Sequence, residues 1–148
     1  MSNLARSLAA AFALTAAFAF ASAEARGEPS QLAATGYTAS QVVPDLSTLH
    51  GSLDPLTEKA VSVTITKIPA LPAAPGVYVQ WTGTDWRSTT SNIKLRTKIV
   101  GAGWVPAFAV PSGSKLPDGM YGIAIEVTGL PGKAPVTTSV TVVVKNLK

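Results

Sequence analysis

Residues 60–68, AVSVTITKI, alternate apolar and polar side chains almost without a break. Val61, Val63 and Ile65 fall on one face, and Ser62, Thr64 and Thr66 on the other. A period of two describes a strand with one buried and one wet face, and a helix, with its period of 3.6, cannot carry it as an amphipathic stripe. The same texture recurs from Gln41 onward. Segments rich in Val, Ile, Thr and aromatics alternate with clusters of Pro, Gly, Asp and Ser at roughly ten-residue spacing, which is the pattern of an all-β domain.

The pattern predicts further strands at Val77 to Thr82, with Val77, Val79 and Trp81 on one face, and at Ile93 to Val100, with Lys94, Arg96 and Lys98 opposite Ile93, Leu95, Thr97 and Ile99. Trp104 to Val110 reads as a short strand placed at an edge or bulge by Pro106. Tyr121, Ile123, Ile125 and Val127 define one strand face, and Val136, Thr138, Val140, Val142 and Val144 another, joined through a turn at 128–135 that contains Gly129, Pro131 and Gly132. Two weaker segments, Gln41 to Val43 and Ser47 to Leu53, bring the count to seven or eight. Strands alone, without an amphipathic helix, predict a two-sheet antiparallel sandwich over 41–148.

The N-terminus has a different character. Arg6 precedes an uncharged run rich in Ala and Phe from Leu8 to Ala21, followed by Ala21-Ser22-Ala23 and Ala23-Glu24-Ala25. A positive start, a short apolar segment and small residues before the cut describe a signal peptide, 1–25, cleaved after Ala23 or Ala25. The run is shorter than the roughly 20 residues that span a bilayer, so no stable membrane insertion is expected after cleavage. No twin arginine precedes it, so the general secretory route to a periplasmic or extracellular location is expected. Residues 26–40 are small, polar and aperiodic, and read as a flexible lead with Tyr37 its only large side chain.

Cleavage after Ala25 removes Arg6 and Glu24, one charge of each sign, so the net charge stays at +4. This mild excess is less than the concentrated footprint of a nucleic-acid-binding protein. The chain has no cysteine, so its stability in an oxidising compartment rests on packing, and thiol catalysis and cysteine-ligated metals are excluded.

Leu116-Pro117-Asp118-Gly119-Met120-Tyr121 has the shape of a tyrosine corner. Pro117 and Gly119 set a turn and the Tyr121 phenol reaches back to the backbone upstream. Together with Val43-Pro44-Asp45, the run from Leu49 to Asp54, Ala60 to Ile65, the W-x-G-x-x-W of Trp81 to Trp86, Trp104, and Val127 to Lys133 before a valine-rich strand, it resembles the bacterial immunoglobulin-like domains found in large surface and secreted proteins. The resemblance runs from Val42 to Lys145 and implies an immunoglobulin-like sandwich, present here as a single copy. Gly129 and Lys133 replace the family's Asp and Asn in the last turn, so a calcium or Asx-turn role there does not follow.

His50, the one histidine, lies some 13 Å along a strand from Asp54 at about 3.3 Å per residue, too far to form a catalytic pair with it. The carboxylates Asp45, Asp54, Glu58, Asp85, Asp118 and Glu126 are scattered, mostly at turns, in no metal-loop series. No catalytic, metal or cofactor site is expected. The candidate binding surface is Trp86 and Arg87 beside the basic strand Lys94, Arg96 and Lys98, with Lys115 close by. Trp81, Trp104, Tyr121 and Gly119 are assigned to structure. The function expected is interaction with a protein or glycan partner at the cell envelope. A carbohydrate-binding module using an exposed Trp86 and the basic strand is the alternative, and a small secreted hydrolase a distant third.

Overall fold

The computed structural model describes residues 36–71, 74–129 and 131–146, so the expected signal peptide and the lead as far as residue 35 lie outside the described residues. In chain order the strands are β1 (Gln41–Val43), β2 (Gly51–Ser52), β3 (Glu58–Ile68), β4 (Tyr78–Trp81), β5 (Trp86–Thr89), β6 (Leu95–Val100), β7 (Gly103–Pro106), β8 (Gly119–Gly129) and β9 (Val136–Val144), with one 3-10 turn at Gly113–Lys115. The domain is all-β, and its strands form one continuous sheet in the order β1-β9-β8-β3-β6-β7-β2, with β4 and β5 branching from β3.

β3 is the hub. Along one edge it pairs with β8 over nearly its whole length; along the other, Ser62 and Val63 pair with β6 while Thr66 and Lys67 pair with β4. The fork makes the sheet curl on itself into a half-barrel of nine strands with a parallel β1–β9 pair, where the sequence pattern predicts two separate antiparallel sheets of seven or eight strands. Alternation then decides the core. Val61, Val63 and Ile65 of β3, Tyr121, Ile123, Ile125 and Val127 of β8, and Val142 and Val144 of β9 all point into the curl, where Trp81, Leu95, Trp104 and Leu116 meet them. The β8–β9 hairpin and both of its faces match the sequence reading, and Val136–Val144 has the predicted bounds.

Several local expectations are corrected. The Ser47 to Leu53 segment contributes only the two-residue β2, because Leu46, Leu49 and Leu53 are spaced to plug the core from a loop. The Trp104 strand stops at Pro106, which pairs with Thr97 as the last residue of β7, and the Ile93 strand starts at Leu95. β5 is an additional strand. The lead is not loose to its end: Tyr37 is 5% exposed, accepts a hydrogen bond from Thr48 Oγ1 at 3.1 Å and belongs to the core, while Ser40 N donates to Thr141 O at 2.7 Å. Burial of one large ring gives these residues the anchor their small, polar neighbours do not advertise.

Candidate functional site

The tryptophan hairpin forms first as a local unit. Trp81 and Trp86 face each other across β4 and β5, and the connection closes with Thr82 N donating to Asp85 O at 2.9 Å and Gly83 at φ +100°. Thr82 Oγ1 accepts from Asp85 N, so a single hydroxyl and a glycine shape the turn. Trp81 is buried and donates its indole N–H to Ala109 O at 2.7 Å; Trp104 is buried as expected.

Trp86 departs from the expectation of an exposed platform. It is half-buried, with its ring centroid 5.3 Å from Trp81 in an edge-to-face arrangement and 5.6 Å from Tyr121. Its indole N–H donates to Lys115 O at 2.6 Å, and the Lys67 ammonium stands 5.7 Å from the ring centroid. The cause is register: Trp86 pairs with Trp81, so both rings lie on the inner face of the sheet. Arg87 pairs with Gln80 and therefore projects from the outer face, the face that also carries Ser62, Arg96 and Glu126. The candidate surface is thus split, with Trp86 on one side of the sheet and Arg87, Lys94, Arg96 and Lys98 on the other.

The basic residues differ among themselves. Lys94 is ion-paired, its ammonium 2.8 Å and 2.9 Å from the two oxygens of Glu126. Lys115 lies away from the basic strand, with its ammonium bonded to Asp85 Oδ1 and Thr84 O at 2.7 Å each and 5.9 Å from the Trp81 ring. Arg96 and Lys98 are exposed, and among the described residues neither joins an ion pair.

His50 is exposed, and its Nδ1 meets Thr48 O rather than a carboxylate. Asp54 is occupied in its own turn, accepting from Leu56 N at 3.0 Å and Thr57 Oγ1 at 2.9 Å. Asp45 is bonded by the Ser47 side chain and backbone, which hold its carboxyl below the ordinary value. Asp118 caps the C-terminal segment, accepting from both Asn146 N and Asn146 Nδ2 at 2.8 Å. Asp45, Asp54 and Asp118 are thus each occupied at a turn or strand end. Among the described residues no three His, Asp or Glu side chains gather as metal ligands.

The concave surface the sequence reading missed lies where β3, β4 and β8 meet. A groove of about 800 Å³ is lined by Ile68, Val77, Val79 and Met120, with Pro69 and Pro75 also on its wall. Val77, expected beside Trp81 in the core, is exposed here instead, because β4 starts only at Tyr78 and the chain before it bends along the groove. Ile68, Tyr78 and Met120 are also exposed, and Leu71 stands 79% exposed in the same connection. The signal was present as apolar residues set among Pro69, Pro75 and Gly76, but that composition also describes an ordinary strand-ending loop.

The chain matches no protein-family model, no curated protein and no solved structure.

Proposed function

We propose that this chain is an exported, non-catalytic interaction module of the immunoglobulin-like type, and that it holds an extended apolar segment of a partner protein at the cell envelope in the groove between β3, β4 and β8. The observation that carries the reading is the gathering of Ile68, Val77, Tyr78 and Met120, all exposed, around one hollow of about 800 Å³. Scattered apolar surface residues are ordinary, whereas a contiguous concave patch marks a place where something binds. The groove also lies at the ends of three strands, whose rigid backbones fix its walls. Support for the immunoglobulin-like part comes from the corner, where Tyr121 Oη donates to Pro117 O at 2.6 Å, and from the tryptophan hairpin.

Fluorescence anisotropy with a panel of extended peptides alternating apolar and polar residues tests this directly. Peptides with apolar residues two apart are expected to bind, and Met120→Asp and Val77→Asp, both at exposed positions, are expected to weaken them at least tenfold while leaving the fold intact by circular dichroism. Binding that is indifferent to both substitutions, or no binding across the panel, overturns the groove as the working surface.

A further inference from the structure

We propose that the end of the domain opposite the groove is a contact surface for an anionic lipid bilayer. β3 has 11 residues, about 33 Å at ~3.3 Å per residue, and its two ends differ in chemistry. The groove surrounds Thr66 to Ile68 at its close. At its start stand the turn 54–57 and the tip of the β6–β7 hairpin, because β6 runs antiparallel from the Ser62–Arg96 pairing toward the first residues of β3. Leu53 N donates to Ala102 O at 3.0 Å, tying the start of that turn to the hairpin tip.

This end exposes Leu56 at 79%, Val100 at 56%, and Ile99 and Val105 at 40% each. Lys98 pairs across the hairpin with Val105, and Val100, two residues on, shares their face, so an apolar tip is backed by Lys98 and Arg96. Of the neighbouring carboxylates, Glu126 is ion-paired with Lys94, whereas Glu58 and Asp54 accept from neutral donors alone, Asp54 N at 2.6 Å for Glu58 and Leu56 N and Thr57 Oγ1 for Asp54, and are outnumbered at this end by Lys59, Arg96 and Lys98. Among the described residues Lys59, Arg96 and Lys98 join no ion pair; Lys98 is level with Val105, and Leu56 and Val100 stand outermost, while Ile99, paired with buried Trp104, lies on the opposite face of the hairpin.

That layering matches the boundary of a bilayer, where aliphatic tips enter among the acyl chains and cations stay level with the phosphates. An edge guarded only against aggregation carries cations but not an apolar tip. An anionic polysaccharide would use the cations and leave Val100 and Val105 without a role. This surface is independent of the groove, and either assignment stands if the other fails.

The absence of cysteine makes the test clean. In the full chain, Ala102→Cys, at an exposed turn position, takes a single environment-sensitive fluorophore, and Ser88→Cys on β5 serves as the control. On vesicles of mixed phosphatidylglycerol and phosphatidylcholine, the label at 102 is expected to shift to the blue and to be quenched by lipids spin-labelled near the headgroup, while the label at 88 is unchanged. Pure phosphatidylcholine is expected to give little response. Arg96→Gln with Lys98→Gln is expected to lower partitioning about 25-fold, some fivefold per cation. Val100→Ser, which removes an exposed side chain, gives a second variant in which folding is not at issue. The proposal is overturned if the chain sediments with vesicles while the label at 102 stays aqueous, if neutral vesicles produce the same shift, or if a soluble anionic polysaccharide gives the shift and vesicles do not.

Discussion

Tyr121 ties the start of β8 to the turn before it and to the tryptophan hairpin. It is the third residue of β8, its ring is fully buried against Trp86, and its hydroxyl donates to Pro117 O at 2.6 Å. Tyr121→Phe keeps the ring but leaves a carbonyl without its donor, so a loss of about 1 to 2 kcal/mol is expected, read as a lower urea midpoint at unchanged slope. Burial raises the Tyr121 pKa above 10.0, as it does for Tyr37. For both, the folded state keeps the phenol proton to higher pH than the unfolded chain does. Their contribution is therefore complete below about pH 10 and is lost as pH rises through 10 toward the folded value. In Tyr121→Phe, the fall of stability with alkaline pH should be shallower by up to about 1.4 kcal/mol per pH unit, and equal slopes in the two proteins would contradict the burial argument.

Among the elements, β3, β8 and β9 were legible because their strict alternation is imposed by a single buried face. β4 and β5 were only half legible. Parity placed Trp81 inward, but the exposure of Trp86 depended on a partner across the turn, and local sequence contains no cross-strand register. Once Trp86 pairs with Trp81, its ring has nowhere to go except onto Trp81 and Tyr121. Ion pairing of Lys94 escaped for the same reason: Glu126 is 32 residues away and meets it only because β3 stands between β6 and β8. The hairpin turn is the element's weak point. Gly83→Ala puts a Cβ on a residue at φ +100° and is expected to cost about 1 kcal/mol or more. The cost should be accompanied by a change in tryptophan fluorescence, since the turn sets the approach of the two rings. Loss of stability with an unaltered emission spectrum would mean that the rings hold their geometry without the turn.

At the scale of the molecule, the long β3 separates two surfaces of different character, an apolar groove at one end and a basic, aliphatic hairpin tip at the other. Nothing in the strand pattern foretold this, because which loops share an end follows from topology, and topology depends on the fork at β3. The separation has a measurable consequence. The groove residue Met120 and the tip residue Lys98 lie near opposite ends of a stiff sheet and share no partner, so substitutions at the two should act independently. Met120→Asp is expected to weaken peptide binding at least tenfold and leave vesicle partitioning within about twofold; Lys98→Gln should lower vesicle partitioning about fivefold and leave peptide binding within about twofold; and the double variant should show the product of the single effects, to within about 0.5 kcal/mol. Measuring peptide anisotropy in the presence and absence of anionic vesicles completes the cycle. If both surfaces are rigidly built, peptide affinity on and off the vesicle should agree, because a ligand with no differential contact to two states cannot couple to them. Affinity that changes severalfold on the vesicle would instead mean that the two surfaces are energetically coupled.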